Sequence, residues 1–128
     1  MGYCMTQMEQ DFKIKGENIP AAWEALKKKL NGNSIHMWVD NRAAITAPSF
    51  ERTMEKCRWS VETYDTHDVE EINFEGEKLG NDDIIFKTLA PYVEPNSYIQ
   101  MQGEDGYIWR WVFDGKTVVE KAGRIVFD

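Results

Sequence analysis

Hydrophobic positions along the chain change their period several times, and those changes divide it into elements. Phe12 and Ile14 alternate with Lys13 and Lys15. That period of two predicts a strand over 3–15, with Gly16 as its break. Asn18 is then a candidate N-cap with Pro20 in the first turn, and Ala21, Ala22, Trp23, Ala25, Leu26 and Leu30 form a helical stripe. Lys27-Lys28-Lys29 complements the negative end of that helix, and Asn31-Gly32-Asn33 stops it. Two short strands are expected at 35–39 and 43–45. Ser49 can cap a second helix bearing Phe50, Met54 and Cys57 on one side. A hairpin is expected from 60–64 and 69–74 around the polar Asp65-Thr66-His67-Asp68. Asn81 or Asp82 caps a third helix with Ile84, Ile85, Leu89 and Ala90, which Pro91 and Pro95 close.

The last third predicts three strands, 97–102, 107–113 and 116–121, with a further edge strand at 125–127. Gly103-Glu104-Asp105-Gly106 makes the first turn and Asp114-Gly115 a two-residue second one. The order of elements predicts one α+β domain over 1–128, mainly antiparallel sheet, with about three helices and a C-terminal three-stranded meander. The assumed turns pair Gln102 with Tyr107, Gln100 with Trp109 and Tyr98 with Trp111, and Phe113 with Lys116 across the second. One face then carries Tyr98, Gln100, Gln102, Tyr107, Trp109, Trp111 and Phe113. The other carries Ile99, Met101, Ile108, Arg110, Val112 and Val119. The aromatic and glutamine face suits stacking or binding. In the opposite assignment helices cover the aromatics and Arg110 points to water, as a buried arginine needs a partner.

Composition sharpens this picture only in places. An apolar fraction of 42% in 128 residues can build a core without metal or disulfide support. The two cysteines, Cys4 and Cys57, make no disulfide framework, and Met1 to Gln10 carries no secretory pattern. No apolar run is long enough to span a membrane, so a cytoplasmic protein with free thiols is expected. The net charge of −7 disfavours non-specific DNA binding. Its distribution is uneven: residues 13–58 hold nine basic and five acidic side chains, whereas residues 60–83 hold nine acidic ones against Lys78 alone. Glu70, Glu71 and Glu75 in that acidic stretch are candidate contacts for a basic partner.

Catalytic chemistry finds little support. The glycines lack phosphate-loop spacing, and His36, His67, Cys4 and Cys57 lack the close pairs of a zinc site. Cys57 sits on an apolar helical stripe and reads as core. No cofactor is expected. The segment Ser97-Tyr98-Ile99-Gln100-Met101-Gln102-Gly103-Glu104-Asp105-Gly106, with Trp109-Arg110-Trp111-Val112-Phe113, resembles the C-terminal hairpins of small proteins from phages and mobile elements of Gram-positive bacteria. The resemblance implies a mobile-element setting in which small acidic domains inhibit or sequester a host component. The expected function is a non-enzymatic binding protein, an inhibitor of a host defence protein with a basic surface. The alternative is a binder of a small nucleotide signal, with aromatics for stacking and Arg110, Arg58 or Arg52 for phosphate.

Overall fold

The computed structural model describes residues 2–32, 39–63 and 67–123. Its elements run β1 (Met5–Asp11), α1 (Ile19–Gly32), α2 (Asn41–Ile45), α3 (Phe50–Lys56), β2 (Trp59–Thr63), β3 (Val69–Phe74), α4 (Asp82–Leu89), β4 (Tyr98–Gly103), β5 (Ile108–Phe113) and β6 (Val118–Ala122). Short 3-10 turns precede α1 and follow α4. The class is α+β, and β4, β5 and β6 form the expected antiparallel meander. The expected strand at 43–45 is instead the helix α2. Asp40 caps it by accepting a hydrogen bond from the Ala43 amide at 3.1 Å. Most of the expected strand at 35–39, and all of that at 125–127, lie outside the described residues, as does part of the turn at 65–68.

The main sheet has the order β1-β4-β5-β6, and β2 with β3 forms a separate hairpin. The hairpin is tied to the outer edge of β1 by side-chain amides. Gln7 donates to the Ile72 carbonyl at 2.9 Å and accepts from the Phe74 amide at 2.7 Å, while Gln10 accepts from the Ile72 amide at 3.2 Å. Two glutamines thereby satisfy an edge that would otherwise invite another strand. A bulge between Gln7 and Glu9 leaves Met8 unpaired and 47% exposed.

The core lies on one side of the main sheet. Phe86 of α4 meets the rings of Trp111 at 4.8 Å, Trp59 at 5.0 Å and Phe113 at 6.1 Å. Ile99, Met101, Trp109, Trp111 and Phe113 all point into this layer and are buried. Asp82 is fully buried beneath it. Its carboxylate accepts two 3.0 Å bonds from Arg58, one of 2.9 Å from Trp59 Nε1 and one of 2.9 Å from the Gly80 amide. Arg58 takes a left-handed φ of 74° just after α3, a position glycine usually fills, and this backbone turn presents its guanidinium to Asp82. A buried carboxylate tolerates its loss of hydration only with such a full set of donors.

The outward face of the four-stranded sheet

The expected grouping of Tyr98, Gln100 and Gln102 with Trp109 and Trp111 is corrected by the pairing of β4 with β5. The turn is three residues long, Glu104-Asp105-Gly106, and Gly106 supplies the positive φ of 88°. The Gly103 amide donates to the Tyr107 carbonyl, and the Gly106 amide to that of Gly103. Gln102 consequently faces Ile108, Gln100 faces Arg110 and Tyr98 faces Val112. A slip of one residue sends a strand's side chains to opposite faces. Trp109 and Trp111, 3% and 2% exposed, therefore belong to the core and not to a binding surface. Tyr107 lies outside the strand, 46% exposed, with its ring stacked on Trp109 at 5.8 Å.

The second turn moves as well. Asp114 pairs with Thr117 around Gly115-Lys116, so Phe113 faces Val118 rather than Lys116. Gly115, at φ 97°, takes the first central position, where positive φ is required. Asp114 anchors the turn by accepting from the Lys116 and Thr117 amides at 2.9 and 2.7 Å. These bonds hold its carboxyl below the usual carboxylate range. Moving the turn by one residue shifts the partner by two, so the faces of β6 keep their assignment.

What remains outward is half of each expected face, joined. Three rows cross the sheet from β1 towards β6. The first is Thr6, Gln102 and Ile108. The second is Glu9, Gln100, Arg110 and Lys121, and the third is Asp11, Tyr98, Val112 and Val119. None of these side chains is buried, and none belongs to the core. Val119 is 48% exposed. Arg110 is held in place on this face. Its Nε donates to Gln100 Oε1 at 2.6 Å, its guanidinium lies 4.2 Å over the Tyr98 ring, and Nη2 is 3.8 Å from Glu9. Tyr98 donates its hydroxyl to Glu9 at 2.7 Å, and that carboxylate raises the tyrosine's pKa. The arginine thus points to solvent, with its planar group stacked and its orientation fixed.

The acidic candidates lie apart from this face, Glu70 and Glu71 on β3 and Glu75 just after it. Glu70 is 3.8 Å from Lys13, Glu71 accepts from Asn73 and Glu75 accepts from Ser60. The acidic stretch is broken by Asp82, which is interior. Of the three arginines considered for phosphate, Arg58 is committed to Asp82 and Arg52 bonds Glu55 at 2.9 Å, while Arg110 stands on the sheet face. A hollow of about 1090 Å³ is an open groove along α1 bounded by Ala21, Lys28, Lys29, Thr88 and Tyr92, none of them an expected site residue.

Other reactive groups are accounted for by packing. Burial pushes the Cys57 thiol up to about 12, an inert state. Tyr3 lies over Gly103, where any Cβ would collide with its ring. Its hydroxyl donates to Asp105, which raises it to about 12. Among the described residues no group of three or more His, Cys, Asp or Glu is placed to hold a metal, and no helix is long and apolar enough to cross a membrane. Sequence reasoning missed Glu9, Met8 and Lys121 as members of the face. The pairing of β1 with β4 brings Met8 and Glu9 there, and no local pattern announced it. The chain matches no protein-family model, and no curated protein or solved structure is significantly similar to it, so its function is read from this face.

Proposed function

We propose that this chain is a non-enzymatic binding protein whose working surface is the outward face of the four-stranded sheet, and that its ligand is a protein with a basic surface. One observation carries the reading. Tyr98 and Arg110 are pre-oriented on a sheet face that no described element covers, beside the apolar Ile108, Val112 and Val119. Tyrosine and arginine with fixed geometry lose little entropy on contact and are the residues that most often anchor protein interfaces. Acidic groups border the face on the β1 side, Glu9 and Asp11. This margin favours a basic partner, and the hairpin resemblance suggests a host defence protein that the chain inhibits.

The test is affinity capture from extract of the cells in which the protein occurs, with three baits. The wild type should retain a partner that Arg110→Ala, which removes the stacked anchor without reversing its charge, loses and that Lys28→Glu, on the opposite layer, retains. Equal recovery by all three baits would overturn the reading.

A further inference from the structure

The charged row across the outward face has a polarity of its own. Glu9 stands on the edge strand β1, Gln100 on β4, Arg110 on β5 and Lys121 on the edge strand β6. With Asp11 in the next row, the face carries two acidic groups at one margin and two basic groups towards the other. It is therefore neutral on a chain of net charge −7. From this layout we infer that, in the absence of another partner, a second copy of the chain stacks on this face. The inference rests on the reading of the face as a contact surface and names its first occupant.

The polarity selects the symmetry. Two sheets pack face to face about 10 Å apart with their strands roughly aligned. A two-fold axis along the strand direction lays β1 of one copy over β6 of the other. Glu9 then meets Lys121 of the second copy and Gln100 meets Arg110, each pair occurring twice. In the row beside it Val112 meets Tyr98 of the second copy. A two-fold axis across the strands would instead lay β1 over β1 and bring the acidic margins together. Only the first arrangement is self-complementary, as closed two-fold interfaces must be.

Area bounds the strength. Four strands spaced about 4.8 Å apart and five residues long span roughly 19 by 17 Å. Two such faces, about 650 Å² together, fall below the range of stable specific interfaces and into that of weak, transient contacts. The pairing is therefore weak, with half-association between about 10 µM and 1 mM.

The test is sedimentation velocity of the whole chain from micromolar to millimolar concentration, with thermal unfolding as a control for folding. The wild type should pass from monomer to dimer over that range. Lys121→Glu should weaken association roughly tenfold, since symmetry counts each altered pair twice. Glu9→Lys combined with Lys121→Glu should recover most of it, and Val112→Arg should abolish it. A wild type that stays monomeric at millimolar concentration, or a dimer indifferent to these changes, overturns the inference. The two readings fail separately. A monomer whose captured partner is still lost by Arg110→Ala sinks only the self-stacking. A dimer whose partner ignores Arg110→Ala sinks only the proposed function.

Discussion

Six consecutive residues of β5 serve two different environments. Trp109, Trp111 and Phe113 point into a layer of aromatic rings, whereas Ile108, Arg110 and Val112 face outward and are only partly covered. The rings gain their place by burying large apolar area, on the order of 150–250 Å² for an aromatic side chain. Arg110 gains its place from directed contacts with Gln100, Tyr98 and Glu9. The aromatic side is thus where stability resides, and the arginine side is available for contact. Aromatic content alone did not separate these roles.

The sharpest way to break this comparison is to truncate on the buried side. Trp111→Ala should cost about 3–5 kcal/mol in denaturant unfolding, enough to leave a domain of ordinary stability largely impaired. A loss near zero would mean that the indole is not core. Next in size is Asp82→Asn, which keeps the shape and an acceptor but removes the charge opposite Arg58. About 3 kcal/mol is expected, because a buried guanidinium is left without its counter-charge. Val112→Arg, one residue from Trp111 but facing outward, should change stability by no more than about 0.5 kcal/mol. A loss as large as that of Trp111→Ala would show that both faces are buried.

How far the sequence disclosed this division depended on turn length. The period of two in β5 correctly set Trp109 and Trp111 on one face, and the alternation in β4 did the same for Tyr98 and Gln100. Which face of one strand continues which face of the other depends on whether the turn holds three residues or four. Gly103 and Gly106 are compatible with both. The decision comes from Tyr3, whose ring covers Gly103 and whose hydroxyl binds Asp105, contacts made from the other end of the chain. Helix α2 was missed for a different reason. Its five residues are too few to show a helical period, and Asp40 three residues before Ala43 was the only local signal. The N-cap of α3 and the buried thiol at Cys57 were readable because both follow from local spacing.

The smallest effect expected sharpens the contrast at a turn exposed to water. Asp114 has a lower pKa in the folded chain than in the unfolded one. Its contribution is therefore complete above the usual carboxylate range and disappears as pH falls through the lowered value. Asp114→Asn should lower the thermal midpoint modestly at neutral pH, and the gap to the wild type should close in acid. A gap independent of pH would assign the effect to turn conformation and not to charge.

The glutamine link between β1 and the β2–β3 hairpin has a consequence for the order in which the protein opens. Amide groups on flexible side chains do not form a continuous ladder, so the Ile72–Phe74 end of the hairpin can part from β1 while the backbone bridge between Ile14 and Val69 holds its other end. The backbone amides of Ile72 and Phe74, held by Gln10 and Gln7, should then exchange with solvent deuterium through a partial opening. The Trp111 amide, inside the central ladder, should exchange only when the whole domain unfolds. Two glutamine side chains would in that case mark the seam between separately opening units of one small domain.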